Sequence, residues 1–261
     1  MAYGLLKGKK GIVFGALDSR SIAWKVAEKC VDEGAEIVLT NAPVALRMGK
    51  IHELGEQLGA DIIPADVTLM EDLDNLVSTA KEKFGGIDFV LHSVGMSPNV
   101  RKGRSYTDLN YDFFHKTLDI SAMSLHRVLQ TCYKLDALNE YASVVALTYI
   151  AAQRTYTGYG DMAEAKSMLE SIARSFGHHY GEHKNVRVNT ISQSPTVTTA
   201  GSGVEGFEDF ISNAEKLSPL GNASAEECAN YCVSMFSDLT KKVTMQNLFH
   251  DGGYSSMGAA E

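Results

Sequence analysis

A tyrosine and a lysine seven residues apart are the pair in this 261-residue sequence whose types and spacing best fit a chemical role. In an α-helix, residues three and seven positions apart share one face, so Tyr159, Met162 and Lys166 are predicted to form a stripe roughly 10 Å long. A phenol can donate a hydrogen bond to a carbonyl oxygen that gains negative charge, and a nearby ammonium group favours that charge and is expected to lower the phenol's pKa. That face has room for a ribose at one end and a carbonyl substrate at the other. The alternative is a core stripe of Tyr and Met with a lysine whose amine reaches solvent.

The first predicted strand, residues 11–15, runs into a turn that is typical of phosphate binding. Small side chains at Gly15 and Ala16 let a ligand approach the backbone, and Ser21 can cap a helix whose free N–H groups face an anion. This predicts a dinucleotide site. Because Leu17 and Ser21 stand where further glycines of the usual G-x-G-x-x-G motif are sought, an ordinary strand-to-helix turn is the alternative.

The ends of the next three predicted strands supply further candidate contacts. Neither an acid for an adenosine ribose nor a base for a 2′-phosphate directly follows residues 36–40, so we expect NADH and leave NADPH open. Asp66 and Val67 follow the third strand and suit an adenine ring, although Asp66 can equally cap the next helix. Gly95 follows the fourth strand and lets the chain pass close to a cofactor.

Short β-branched runs alternate with amphipathic helix-length segments along the whole chain, without a linker or a repeat. The pattern predicts an α/β protein with a single doubly wound (Rossmann-type) domain over residues 1–261, a seven-stranded parallel sheet with helices on both faces. The predicted strands are residues 11–15, 36–40, 61–64, 87–93, 143–148, 186–191 and 247–251. The predicted helices lie around residues 21–33, 43–58, 69–84, 110–135, 159–180 and 224–237. Ligands of such sheets bind beyond the C-terminal strand ends, where the candidate residues lie.

Composition narrows the classes of function. Hydrophobic residues make up 44% and charged residues 21%, which excludes disorder as the main state. The formal net charge of −8 disfavours nucleic-acid and anionic-membrane partners. The longest apolar runs are of strand length, and the N-terminal charges follow a two-leucine patch, the reverse of a secretory signal, so we expect a cytoplasmic protein without a membrane helix.

Four cysteines are scattered through predicted helices, which fits reduced, buried thiols. Cys228 and Cys232 are four residues apart and could share a metal ion. Because no paired histidine or second cysteine pair accompanies them, core packing is favoured and no metal site is predicted.

These motifs resemble those of the short-chain dehydrogenase/reductases, and within that family those of the enoyl-acyl-carrier-protein reductases of bacterial type II fatty-acid synthesis. Most of the family carries Tyr-x3-Lys, whereas Tyr159 and Lys166 have the Tyr-x6-Lys spacing of the enoyl reductase branch. The similarity extends to Gly15-Ala16-x4-Ser21-Ile22-Ala23, to His92-Ser93-Val94-Gly95, to residues 186–195 and to Asp251-Gly252-Gly253.

The resemblance implies reduction of trans-2-enoyl thioesters on acyl carrier protein with NADH, in a homotetramer. It assigns Tyr159 to the thioester carbonyl, Lys166 to the nicotinamide ribose, and Tyr149 to the site as a second tyrosine. The implied substrate contacts are Ser97, Tyr149, Tyr159 and Met162. The implied cofactor contacts are Gly15, Ser21, Ile22, Ala42, Asp66, Val67, Val94, Lys166, Thr196, Val197, Thr198, Thr199 and Ala200.

Two departures from the family pattern bear on these expectations. Ala42 stands where some members offer a side chain to the adenosine end, which leaves the choice of cofactor open. Thr244-Met245 precedes the last strand, where a Thr-Gly pair is common in the family.

Glycines followed by Phe207, Phe210 and Ile211 predict a substrate lid around residues 196–217. A surface loop with an amphipathic helix behind it is the alternative.

Two other functions compete with enoyl reduction. A carbonyl reductase or alcohol dehydrogenase of the same family would act on ketones and not on enoyl thioesters, and the Tyr-x6-Lys spacing argues against it. A non-catalytic NAD-sensing scaffold would keep the Gly15 turn but would have no use for Tyr149, Tyr159 and Lys166 together.

Overall fold

The computed structural model describes residues 2–197 and 207–258. Seven strands form one sheet in this part of the chain: β1 (Lys10–Phe14), β2 (Glu36–Thr40), β3 (Asp61–Ile62), β4 (Ile87–His92), β5 (Leu138–Thr148), β6 (Arg187–Gln193) and β7 (Asn247–His250). The α-helices are α1 (Ile22–Asp32), α2 (Pro43–Met48), α3 (Ile51–Leu58), α4 (Met70–Phe84), α5 (Pro98–Arg101), α6 (Tyr111–Leu118), α7 (Ser124–Lys134), α8 (Met162–Lys184), α9 (Phe207–Leu217) and α10 (Ala225–Phe236).

The strand order is β3-β2-β1-β4-β5-β6-β7, and every neighbouring pair is parallel. The order reverses between β1 and β4, which is where doubly wound sheets bind ligands. The predicted α/β class and the seven-stranded parallel sheet are therefore confirmed.

Both faces of the sheet are apolar because helices cover both. Successive β5 residues alternate between two buried clusters, since Val144 packs with α4, α7 and α8 while Val145 packs with α1, α3 and α10. This arrangement explains why the strands read as continuous apolar runs and not as alternating ones.

The predicted strands match the observed ones with shifts of one or two residues at most ends. The largest difference is at β5, which begins at Leu138, five residues before the predicted start. Tyr141, in this early part of the strand, has φ 62°, and the register with β4 shifts between Ile87 and Phe89. Because β5 is irregular where it begins, its first residues do not show the sequence pattern of a strand.

Three predicted helices differ from the observed ones. The helix predicted over 43–58 is two helices, because Gly49 and Lys50 separate α2 from α3. The helix predicted over 110–135 contains a π-helical turn at Asp119–Met123 between α6 and α7. The helix predicted to begin at Tyr159 begins at Met162, so Tyr159 lies in the preceding turn.

Across residues 2–197 and 207–258, none of the helices combines the length and apolar character needed to cross a membrane. The same residues include no cluster of three or more His, Cys, Asp or Glu side chains suited to a metal ion. All four cysteines are free and buried, and Cys228 and Cys232 pack in the cluster that α10 shares with α1.

Candidate active site

A cavity of about 250 Å³ lies at the C-terminal edge of the sheet, where β4, β5 and β6 end. Eight of the residues predicted for the site line it: Ile22, Val94, Ser97, Tyr149, Tyr159, Met162, Lys166 and Thr196. Residues from five separate segments of the chain therefore meet at one place, as the strand-end argument predicts.

Two tyrosines stand side by side on one wall of the cavity. Tyr149 directly follows β5, and its ring centroid lies 5.1 Å from that of Tyr159. Burial raises the pKa of both phenols above the ordinary value. The expectation that the pKa of Tyr159 is lowered is therefore wrong, because loss of solvent outweighs any effect of a nearby ammonium group. The Tyr159 phenol is consequently protonated at neutral pH and available as a hydrogen-bond donor.

Lys166 is buried one turn into α8, and its Nζ donates a 2.8 Å hydrogen bond to the carbonyl oxygen of Leu147. Burial lowers the pKa of Lys166 to about 8, although the carboxylate of Glu170 acts in the opposite direction. The amine faces the cavity beside Gly95, where an added Cβ would lie 3.7 Å from Nζ. A ligand placed against Gly95 therefore meets a cation.

His92 ends β4 and is fully buried. Its Nε2 lies 2.9 Å from Ser124 Oγ, whose own hydrogen is donated to the Ile120 carbonyl oxygen. Burial, reinforced by the charge of Lys166, lowers the pKa of His92 to about 3, so the ring is neutral at physiological pH. The ring does not line the cavity and adds no charge beside it.

The turn after β1 has the shape of a phosphate cradle. Gly15 has φ 97°, and a Cβ at this position would lie 2.0 Å from the Ser93 carbonyl oxygen. Ser21 precedes α1, and its Oγ accepts from Leu17 N and donates to the Asp18 carbonyl oxygen without capping the helix. The side chain therefore shapes the turn, and the free N–H groups of the first turn of α1 are left for a ligand.

We expect Gly15→Ala to lower the free energy of unfolding by more than the 1–2 kcal/mol typical of left-handed backbone strain, because the new methyl group also meets a backbone carbonyl. Gly59→Ala is the matched control, since Gly59 has φ 62° and nothing within 4 Å of an added Cβ. Urea unfolding of both variants measures the difference. Equal losses would show that Ser93 does not crowd the turn.

The ends of β2 and β3 lie outside the cavity lining. Ala42 is the N-cap residue of α2, and Asn41 beside it uses its amide to donate to the Ala16 carbonyl oxygen and to accept from Ala42 N. Asp66 accepts from the backbone and hydroxyl of Thr68, while the N-cap of α4 is Leu69. The helix-capping alternative for Asp66 is therefore wrong, and contacts of Ala42, Asp66 and Val67 with an adenine ring stay predictions.

The remaining predicted residues fall into two groups. Ser97 lines the cavity, but its hydroxyl donates to Asp161 and accepts from Val100 N, so it has no free hydrogen for a substrate. Val197 is exposed. Thr198, Thr199, Ala200 and residues 201–206 of the predicted lid lie outside the described residues, although α9 begins at Phe207 as the amphipathic segment expected there.

Sequence reasoning missed several lining residues. They are Met96, Val100, Arg101, Leu147, Thr148, Gln193, Ser194 and Pro195. Counting two positions on either side of the ends of β5 and β6 would have found the five that lie there. Met96, Val100 and Arg101 lie further along the chain after β4. Phe210, a residue of the predicted lid, reaches the cavity from α9.

A parallel sheet that reverses at a glycine turn, with a tyrosine and a buried lysine lining one cavity at its C-terminal edge, is the arrangement of a short-chain dehydrogenase/reductase. The sequence model of enoyl-(acyl carrier protein) reductase matches residues 15–255. The chain belongs to the enoyl-(acyl carrier protein) reductase family, a family of oxidoreductases.

Individual relatives agree with this assignment. The chain is 35% identical to enoyl-[acyl-carrier-protein] reductase [NADH] 1 of Rhizobium meliloti, over 98% of this chain and 94% of the relative. The crystal structure of the FabI–NADH complex from Alistipes finegoldii is 63% identical with a TM-score of 0.97, over 99% of this chain and 92% of that one. The Bacillus cereus enoyl-acyl carrier protein reductase with NADP+ and indole naphthyridinone is 32% identical with a TM-score of 0.92, over 99% and 100%.

Proposed function

We propose that the chain reduces trans-2-enoyl thioesters carried by acyl carrier protein, with NADH as reductant. The observation that carries the proposal is the cavity in which the protonated Tyr159 phenol, Tyr149 and the Lys166 amine meet beside the Gly15 turn. Membership of the enoyl reductase family supports the thioester substrate, and the names of the relatives support NADH.

The residues present fit a dinucleotide. A Cβ at Gly15 would fill the space between the β1–α1 turn and Ser93, and the first turn of α1 carries no acidic side chain to repel a pyrophosphate. Gly15, Ser21 and Ile22 would hold the pyrophosphate, Lys166 the nicotinamide ribose, and Val94 and Thr196 the nicotinamide end. When bound, NADH supplies a hydride from C4 of its ring to Cβ of the substrate.

The chain's own residues act on the thioester oxygen. Reduction at Cβ would place negative charge on that oxygen, and the Tyr159 phenol would donate a hydrogen bond to it. The enolate then takes a proton from solvent at Cα, which completes the saturated acyl thioester. Lys166 holds positive charge nearby, and its hydrogen bond to the Leu147 carbonyl fixes the direction of the amine.

We expect the affinity for NADH to fall as pH rises through about 8, because the free protein then loses the Lys166 proton that the bound ribose needs. Below that pH Lys166 is already an ammonium group before NADH binds, so the affinity for NADH does not change with pH. Fluorescence titration of NADH between pH 6 and 9.5 measures the profile. A level profile across the whole range in the parental protein would exclude Lys166 as the titrating group.

Activity is tested by absorbance at 340 nm, with NADH and NADPH each paired with a crotonyl thioester and with simple ketones. The proposal predicts oxidation of NADH by the thioester and none by ketones. Ketone reduction alone would indicate a carbonyl reductase, and cofactor binding without oxidation would indicate a sensing scaffold. The comparison of NADH with NADPH determines the cofactor preference, because Ala42 and the hydrogen-bonded Asn41 do not indicate one.

We propose that the protein is a homotetramer in the cytoplasm and that it acts on substrates carried by acyl carrier protein. The family resemblance supports the tetramer, with the segments 110–135 and 159–180 as contacts, and the four free, buried cysteines agree with a reducing compartment. Light scattering of the purified protein measures the assembly directly.

A further inference from the structure

A buried carboxylate lies two residues after Tyr159. The Asp161 side chain is fully buried, and its carboxylate accepts a 2.5 Å hydrogen bond from Ser97 Oγ and a 2.7 Å bond from Asn99 Nδ2. The hydroxyl of Thr117 lies 2.9 Å from Oδ2 and equally near the Phe113 carbonyl oxygen. Burying a carboxylate costs free energy unless hydrogen-bond donors surround it, and the three donors here offset that cost.

The partners of Asp161 lie outside its own helix. Asp161 occupies the N-cap position of α8, where a carboxylate ordinarily accepts from the first N–H groups of the helix, but its side chain makes no such bond. Its donors come instead from α5 and α6, 44 to 64 residues away in sequence. The carboxylate therefore connects three segments, and helix capping does not explain it.

One of these segments, the stretch 96–101, forms one side of the cavity. Ser97 also accepts from Val100 N, and the Asn99 amide exchanges hydrogen bonds with the backbone of Asn110, which caps α6. The stretch 96–101 includes Met96, Ser97, Val100 and Arg101 of the cavity lining. These hydrogen bonds therefore fix residues 96–101, the wall of the cavity that faces Tyr159.

Tyr159 depends on its backbone for its position. Within the described residues its phenol forms no hydrogen bond, and its place follows from the ring contact with Tyr149 and from the turn that leads into α8. In that turn Gly160 has φ 49°, and an added Cβ would lie 3.2 Å from Val100. Movement between α5 and this turn would carry Tyr159 with it.

We propose that Asp161 is a positioning residue for Tyr159, which holds the turn 158–161 against the 96–101 wall so that the phenol meets the substrate carbonyl. The inference rests on the proposed function for its kinetic readout. Because a misplacement of about 1 Å can cost about 10²-fold in rate, a loosened turn lowers turnover without touching the cofactor cradle.

Asp161→Asn is the direct test, since it keeps the shape of the side chain but turns an acceptor into an NH2 group that faces donors. We expect kcat for crotonyl-thioester reduction to fall about 10–100-fold, while the dissociation constant of NADH stays within about twofold of the parental value. Ser97→Ala and Thr117→Val each remove one donor and should give smaller losses in the same direction.

Glu33→Gln is the matched control. Glu33 is an equally buried carboxylate, 1% exposed, that accepts from Tyr3 N and Leu5 N at the N-terminal segment. We expect this variant to lose thermal stability yet keep the parental kcat at temperatures where it is folded. A parental kcat in folded Asp161→Asn, or a loss matched by Glu33→Gln at equal stability, would overturn the inference.

A positional readout separates this inference from the proposed function. Crystal structures of the parental protein and Asp161→Asn with NADH should show the Tyr159 hydroxyl displaced in the variant and the Gly15 turn unchanged. An unmoved Tyr159 would overturn the inference. A parental protein that reduces no enoyl thioester would overturn the proposed function and leave this structural comparison decisive for Asp161.

Discussion

Replacing Tyr159 by phenylalanine is expected to lower kcat for enoyl-thioester reduction by about 10²–10³-fold while the affinity for NADH stays at its parental value. The substitution removes one donor to the oxygen on which charge develops, and such a loss raises a barrier by about 2.7–4 kcal/mol. Because burial keeps the phenol protonated, the donor is present throughout the neutral range and the loss should not depend on pH there. Stopped-flow or steady-state oxidation of NADH with crotonyl thioester measures it.

Tyr156→Phe is the matched control for this prediction. Tyr156 packs in the same aromatic cluster and bonds Tyr254 through its hydroxyl, but it does not line the cavity. It should retain the parental kcat within a few fold. If Tyr159→Phe also retains it, the phenol does not act on the thioester oxygen.

The second large effect is expected for Lys166→Met, which should raise the dissociation constant of NADH about 10–150-fold. That range corresponds to the 1.5–3 kcal/mol of a hydrogen bond to a charged group, here between the ammonium and the ribose hydroxyls. Methionine keeps most of the length of the lysine side chain, so the packing of α8 changes little. Fluorescence titration of NADH measures the constant directly.

Lys184→Met is the control for the lysine. Lys184 ends the same helix and also donates to a backbone carbonyl, that of Leu138, at 3.1 Å, compared with 2.8 Å for Lys166 and Leu147. Its loss should leave NADH binding unchanged. Equal weakening in both variants would mean that the effect comes from α8 and not from a contact with the cofactor.

The sheet could be predicted from the sequence because parallel strands covered on both faces have continuous apolar runs. The 36–40 prediction coincides with β2, and the ends of β4, β5 and β6 led to residues of the cavity. The helices were harder to bound, since Gly49 and the π-helical turn at Asp119–Met123 interrupt segments whose apolar periodicity continues. In that turn the Ser121 hydroxyl accepts from Met96 N and donates to its carbonyl oxygen, a long-range role that no local pattern contains.

Site residues could be predicted where their spacing within one segment indicates a role. They could not be predicted where their hydrogen-bond partners are distant in sequence. Tyr159 and Lys166 follow from their separation, although Tyr159 lies in a turn and not on the helix face. The donors of Asp161 come from three separate positions earlier in the chain, so its sequence neighbours give no indication of a buried carboxylate. The family resemblance implies a substrate contact for Ser97, and nothing local in the sequence indicates that its hydroxyl bonds Asp161, 64 residues away.

The most direct test of the account is a crystal structure of the chain with NAD+ and an unreactive enoyl-thioester analogue. The account predicts the Tyr159 hydroxyl within about 3.2 Å of the thioester oxygen and Lys166 Nζ at the nicotinamide ribose. A complex in which the phenol points away from that oxygen, with another donor in its place, would contradict the central claim.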